Sequence, residues 1–354
     1  MKTLRFPLVF AFLIIGSFLL SACTGGALVN SWPGLTSSQN TIYLANAGAI
    51  YALNAENGSL VWTFPEKPDN SKPFYAPPAV TDNLIVAGNY GHILYGLGTD
   101  GKKKWEFDSR DGNFVGTPLV YEDTVVAPTA NNKVYAVSAL DGKELWSFET
   151  ENTLWATPVT DGEVVYVAAL DHNLYALNLA DGTLVWEKDL GSSLLSTPIL
   201  TEEGVLYLTT MGGELVAVKA ADGSVDWTVP TGGRLWGSPV LHEDTLYVGS
   251  ENGKVTAVSI KDKKIAWQKD AGSPILGGGA LLPDGVVFTT EGGTVVAYAF
   301  NGEKELWRHT VNGKLYTTPA VSGRTLAVGI MEGDQLVQAY NVNGQVSWPF
   351  VAPK

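Results

Sequence analysis

Ala176-Leu177-Asn178-Leu179-Ala180-Asp181-Gly182-Thr183-Leu184-Val185-Trp186 holds the unit from which the chain is built. An alternating apolar segment runs into an Asp-Gly pair, and a tryptophan stands four residues beyond the glycine. Asp-Gly and Asn-Gly accept the positive φ angles of a tight two-residue turn, so the stretch predicts strand, turn, strand. The same turn recurs at Asn57-Gly58, Asp100-Gly101, Asp141-Gly142, Asp222-Gly223 and Asn343-Gly344. Copy six is degenerate at Asp262-Lys263, and copy seven has Asn301-Gly302 with one extra residue before its tryptophan. The tryptophans are Trp62, Trp105, Trp146, Trp186, Trp227, Trp267, Trp307 and Trp348, separated by 43, 41, 40, 41, 40, 40 and 41 residues. A fixed period near 40 marks a propeller or solenoid, in which one supersecondary unit is stacked many times.

Outward from the turn the rest of the unit is visible. Before the segment Leu174–Leu177 lies a second apolar run, Val164–Val167, as Thr245–Val248 does in copy six. Short polar turns such as Asn89-Tyr90-Gly91, Met211-Gly212-Gly213 and Glu251-Asn252-Gly253 join the two runs. A Thr-Pro or Ser-Pro step opens most copies, at Thr117-Pro118, Thr157-Pro158, Thr197-Pro198, Ser238-Pro239 and Thr318-Pro319. Proline is tolerated at the first residue of a strand and not in its interior, so it marks where the first strand starts. Each copy therefore predicts four short antiparallel strands. No stretch after residue 23 has helical periodicity. The expected fold is all-β, an eight-bladed β-propeller over residues 31–354. Copy eight carries its own last segment, Val346-Ser347-Trp348-Pro349-Phe350, so closing the ring does not call for a strand borrowed from the N-terminus.

Residues 1–23 stand outside this pattern. Lys2 and Arg5 give a positive start, Phe6 to Leu20 is an apolar run short for a membrane span, and Leu20-Ser21-Ala22-Cys23 follows. Cys23 is the single cysteine of the chain, so no disulfide forms within it. The segment is expected to be a lipoprotein signal peptide, with lipidation at Cys23 and residues 24–30 as a short tether. The competing reading is an ordinary signal peptide with a chance cysteine. Exported and membrane-anchored, the protein would face the periplasm from the outer membrane of a diderm host, or lie on the outer face of a monoderm cytoplasmic membrane. The net charge is −13, and loss of Lys2 and Arg5 leaves 21 basic and 36 acidic residues, a charge of −15. Such a surface is repelled by nucleic-acid phosphate, which excludes nucleic acid as a partner.

The repeat resembles the pyrroloquinoline-quinone type of β-propeller, whose strand-turn-strand has Ala-x-Asp-x-x-x-Gly-x-x-x-Trp character. The resemblance covers residues 31–350 and implies that the eight tryptophans dock neighbouring blades. WD40 repeats fit worse, since they place Asp after Trp, where this chain has Thr63, Glu106, Ser147, Glu187, Thr228, Gln268, Arg308 and Pro349. Quinoprotein dehydrogenases are larger and carry a calcium site and, in many, adjacent cysteines. BamB-like lipoproteins are compact, lipid-anchored and eight-bladed, and help outer-membrane β-barrel assembly. Length, signal and repeat number resemble the second branch. They imply a non-catalytic scaffold that binds proteins in the cell envelope, with no cofactor. A sugar- or peptide-binding module and a quinoprotein-type oxidoreductase stand as alternatives.

No motif for catalysis or metal binding emerges. His92 and His172 occupy the same turn in copies two and four, which are not adjacent, and a metal site needs several converging ligands. Asp123, Asp161, Glu203, Asp244 and Asp284 recur after the opening strand, which suits turn formation. Gly277-Gly278-Gly279 lacks the Lys-Ser/Thr end of a phosphate loop.

One pattern exceeds the repeat. Three residues before the opening proline stand Tyr75, Trp155, Trp236 and Tyr316 in the even copies, against Asn30, Val115, Leu195 and Gly277 in the odd ones. These four aromatics are the candidate binding face, ringing the mouth of the central channel and suited to sugars, peptides or planar ligands. Inter-blade packing left by a duplicated two-blade ancestor is the competing explanation of the alternation, and on sequence grounds is preferred.

Overall fold

The computed structural model describes residues 31–353. Among them the chain forms eight four-stranded antiparallel sheets, each made of four consecutive strands, arranged as an eight-bladed propeller. Blade one runs Gly34–Ser38, Thr41–Asn46, Ala49–Asn54 and Leu60–Phe64 from the inside outwards, and blade eight runs Ala320–Ser322, Thr325–Gly329, Val337–Asn341 and Val346–Phe350. Inner strands of successive blades touch at most joints of the ring, and those of blades one and eight touch in the same way. Blade eight keeps its own outer strand, so the ring closes by face-to-face packing.

The middle two strands of each blade carry the core. In blade four, Val165–Ala168 and Leu174–Leu177 are all buried. Continuous burial on both faces is what a sheet packed between two neighbours requires, and it explains apolar runs that do not alternate. The outer strand has one wet edge and alternates: in Glu144–Glu149, Trp146 is buried while Glu144, Leu145 and Ser147 are exposed.

The repeat motif has a packing reason at each fixed position. Ala176 lies directly opposite Trp186, and a β-bulge follows between Ala176 and Leu177. Side chains of directly paired residues share a face and nearly touch, so a small residue leaves room for the indole. The turn glycine serves the next joint. Gly182 has a φ of +73°, and a Cβ there would stand 2.6 Å from Trp146 of the preceding blade. Gly101 repeats this against Trp62 with φ +78°. In copy six Lys263 itself adopts φ +54°.

Each indole thus lies against the following blade. Trp105 Nε1 donates to Ala139 O at 2.8 Å, Trp146 to Leu179 O at 2.9 Å, and Trp186 to Ala220 O at 3.0 Å. Trp62, Trp267 and Trp348 make the equivalent bond to Thr99, Phe300 and Ala55. Trp105, Trp146, Trp227 and Trp348 are buried, whereas Trp62, Trp186, Trp267 and Trp307 are half-buried.

A second seam runs along the channel. Thr117 Oγ1 donates to Pro77 O of the preceding blade at 3.0 Å. Thr197 Oγ1, Ser238 Oγ and Thr318 Oγ1 accept from Thr157 N, Thr197 N and Gly278 N. The Thr-Pro and Ser-Pro steps therefore stitch neighbouring inner strands as well as opening them.

Candidate functional site

The segment before each inner strand alternates sharply. Phe74, Phe114, Leu154, Leu194, Leu235, Ile275 and Leu315 point outward and are buried. The next residue of each pair points inward to the channel. Aligned by strand register, the inward positions are Trp32, Tyr75, Val115, Trp155, Leu195, Trp236, Leu276 and Tyr316. All eight line one central cavity and all retain solvent contact. Tyr75, Trp155, Trp236 and Tyr316 are thus brought together at the channel and are not wedged between blades, which removes the packing explanation for their alternation.

The odd-numbered positions need correction. Counting from proline selected Asn30 in copy one and Gly277 in copy seven. Asn30 lies outside the described residues, as do the signal segment, Cys23 and the tether. In blade one the residue equivalent to the opening proline is Leu35, because Leu35 pairs with Leu44, so Trp32 takes the inward position. In blade seven it is Gly279, since Ala280 pairs with Val287, and Leu276 takes it. The ring is therefore wholly apolar, with aromatics at five positions, three of them on the consecutive blades eight, one and two.

Trp32 changes the geometry most. Its ring stacks on Tyr316, 6.3 Å away at 27°, and meets the edge of Trp155 at 6.0 Å and 77°. Tyr90, in the turn between the second and third strands of blade two, meets Tyr75 at 5.3 Å and 67°. Trp32, Tyr75, Tyr90, Val115 and Trp155 line a recess of about 310 Å³ at the mouth. Exposures of 41% for Trp32, 44% for Tyr90 and 36% for Trp155 leave these rings wet. Tyr90 carried no sequence signal, since the equivalent turn residue elsewhere is Ala130, Leu170, Met211, Glu251, Glu291 or Met331.

Across the channel two carboxylates hold the remaining rings. Trp236 Nε1 donates to Glu251 Oε2 at 3.4 Å, and Tyr316 Oη donates to Glu291 Oε1 at 3.1 Å. Burial and the Glu291 carboxylate together hold the Tyr316 phenol above its ordinary value, against the opposing pull of Lys314. Lys314 Nζ sits 6.0 Å from the Tyr316 ring centroid and 3.5 Å from Glu332, and Arg234 lies 3.7 Å from Glu251.

The histidines and recurrent acids stand apart from the channel. His92 and His172 occupy turns with φ of +71° and +79°. His242 stacks on Phe300 and His309 on Tyr340. Among the described residues no cluster of His, Cys, Asp or Glu is arranged to hold a metal. Asp161 caps its turn, accepting from Glu163 N, Val164 N and Tyr166 Oη at 3.0, 2.8 and 2.8 Å. Partial burial raises the Asp161 pKa, but these donors outweigh it and hold the carboxyl below its usual range.

The family profile described as outer membrane protein assembly factor BamB matches residues 46–156, 134–274 and 262–354. The chain belongs to the BamB family. BamB of Burkholderia pseudomallei (strain K96243) is 28% identical over 110 residues, a match covering 31% of this chain and 28% of that protein. The crystal structure of BamB from Moraxella catarrhalis superposes with a TM-score of 0.74 at 17% identity, covering 87% of this chain and 95% of that one. The quinohemoprotein alcohol dehydrogenase ADHIIG from Pseudomonas putida HK5 superposes equally, with a TM-score of 0.74 at 15% identity, covering 92% and 76%. At such identities the structural likenesses establish the propeller and leave open the chemistry at its centre.

Proposed function

We propose that this BamB-family chain is a non-catalytic, lipid-anchored scaffold outside the cytoplasm, holding protein partners during assembly of outer-membrane proteins. The observation that carries this reading is the family match from residue 46 to residue 354, spread over every blade. The apolar run ending at Cys23 supports the anchor. The aromatic mouth is the proposed contact face, since exposed, clustered aromatic rings mark binding surfaces more often than isolated apolar residues do.

The quinoprotein-type reading predicts that the channel accepts pyrroloquinoline quinone, a polycarboxylate. The residues do not fit it. The channel wall is built of aromatic, aliphatic, Gly, Pro, Ser and Thr residues, with no Lys or Arg to neutralise a carboxylate. Burying an unpaired anion there would be strongly unfavourable.

The scaffold reading is tested by crosslinking the native lipoprotein in its host membrane and identifying its neighbours by mass spectrometry. Outer-membrane assembly components should be enriched, and a deletion strain should carry less folded outer-membrane protein. Normal outer-membrane protein levels without assembly crosslinks would reject it, and a saturable quinone titration would favour the oxidoreductase.

A further inference from the structure

We propose that the recess at the channel mouth binds a weakly hydrated organic cation, a guanidinium or a quaternary ammonium group. The inference rests on the mouth being a binding face and is independent of any role in outer-membrane assembly.

Shape comes first. A flat ligand such as a sugar ring or an indole is best held in a slot between parallel rings. Here the ring pairs are close to perpendicular: Trp32 to Trp155 at 77° and Tyr75 to Tyr90 at 67°. Rings set at right angles form a box, and a recess of about 310 Å³ gives a compact group several aromatic walls at once. Such cages suit cations, because each ring face carries the negative lobe of its quadrupole and the attractions add without needing one ligand plane.

Electrostatics selects the same ligand. No charged side chain lines the recess. Elsewhere on the ring of inward residues, Trp236 Nε1 and Tyr316 Oη donate to the carboxylates of Glu251 and Glu291. Arg234 and Lys314 pair with Glu251 and Glu332, and all of these charges stand on blades six to eight, across the channel from the recess of blades one to four. Lys314 over Tyr316 is already a cation on a mouth ring. The chain as a whole carries a charge of −13, which draws cations and repels anions.

Hydration narrows the class. A primary ammonium such as lysine is a compact, strongly hydrated charge with three donors, and the recess offers no carboxylate and only the Tyr75 and Tyr90 hydroxyls as side-chain acceptors to replace its water. A guanidinium or trimethylammonium group is more weakly hydrated and stacks on aromatic faces. The ligand is thus an arginine side chain of a partner peptide or a small quaternary ammonium compound, two sources of one chemistry.

The test is a titration of the full-length protein, followed by tryptophan fluorescence and calorimetry. The probes are choline, N-acetyl-arginine amide and 3,3-dimethyl-1-butanol, the uncharged carbon isostere of choline. At least one cation should bind about tenfold or more tighter than the isostere, as expected when several aromatic faces contribute. Preference for the arginine amide would assign a peptide, and preference for choline a small molecule. Trp155→Leu should weaken binding about tenfold. Tyr90→Leu, on an exposed turn, should weaken it severalfold and serves if Trp155→Leu fails to fold. Binding of the isostere as tight as that of both cations, absence of binding by both cations, or unchanged binding in Tyr90→Leu would overturn the proposal.

Discussion

Trp348 Nε1 donates to Ala55 O across 3.0 Å, joining residues 293 positions apart in the chain. This is the same bond that Trp105 makes to Ala139 and Trp146 to Leu179. The ring closes at blades eight and one with the joint used between other blades, and that joint is reinforced by Ser37 Oγ donating to Val321 O at 2.7 Å and Thr317 Oγ1 to Pro33 O at 3.0 Å.

The closing joint should therefore be no weaker than an internal one. Trp146→Ala and Trp348→Ala remove indoles that are equally buried, at 7% exposure each. Each should cost about 3–5 kcal/mol, as for other large core truncations. Urea unfolding should give closely similar losses for the two variants. A Trp348→Ala loss below about 1 kcal/mol alongside a large Trp146→Ala loss would show that the seam is a loose end.

The turn glycines should be as unforgiving as the tryptophans. Gly182→Ala forces a Cβ into a left-handed backbone and to within 2.6 Å of the Trp146 ring. Strain and overpacking each contribute about 1–3 kcal/mol. Gly204→Ala also meets a positive φ, +73°, but nothing stands within 4 Å of its Cβ. Thermal melts should rank Gly182→Ala well below Gly204→Ala, and an equal shift in both would make the indole contact irrelevant.

How much of this was legible in the sequence depends on where each contact's partner lies. The fold could be read because Gly182, Ala176 and Trp186 sit within eleven residues of one another, and the pattern repeats in register. The hydroxyl seam could not, because the partner of Thr117 is a carbonyl forty residues away in another blade. The mouth was half legible. Tyr75, Trp155, Trp236 and Tyr316 stand out against their prolines, but blade one has Leu35 at the proline position and blade seven has Gly279. Only strand register brings Trp32 and Leu276 into the ring. Tyr90 was invisible, because turn residues vary freely between blades.

Acid should weaken blade four through its Asp161–Tyr166 pair. The Asp161 carboxyl is held below its unfolded value of about 3.9 by its three donors. A depressed folded pKa contributes stability that is present above the unfolded value and lost as pH falls through the folded one. Asp161→Asn should therefore lower the melting temperature at pH 7, and the gap to the parent protein should shrink towards pH 2–3 as the parent carboxyl is protonated. A gap unchanged between pH 7 and pH 2.5 would mean that the charge on Asp161 does not matter.

The mouth aromatics should separate binding from stability. Trp155 and Trp236 face the channel and retain solvent contact, unlike the buried Trp146. Replacing both by Leu keeps an apolar side chain at each channel-facing position, so the loss of stability should stay well below the roughly 3–5 kcal/mol expected for Trp146→Ala. Affinity for whatever occupies the mouth should fall severalfold to a hundredfold, since each stacking contact contributes on the order of 1 kcal/mol beyond area. A large loss of stability in the double variant would show these rings to be structural.

Ser31 accepts a hydrogen bond from Ala47 N, and Trp32 already stands in the channel mouth, so the chain enters the propeller at that face. Cys23 precedes Ser31 by only the seven residues 24–30, which span at most roughly 25 Å when extended. A lipid on Cys23 would therefore hold the mouth close to the bilayer and turned towards it. Mass spectrometry of the membrane-extracted protein should find acyl chains on Cys23 as the mature N-terminus, and Cys23→Ser should release the protein or block its processing. Lengthening the tether by about twenty flexible residues should leave the variant membrane-bound while making Trp155 more accessible to an aqueous quencher. Unchanged fractionation of Cys23→Ser would end the lipoprotein assignment. Equal quenching with short and long tethers would keep the lipid and reject the orientation.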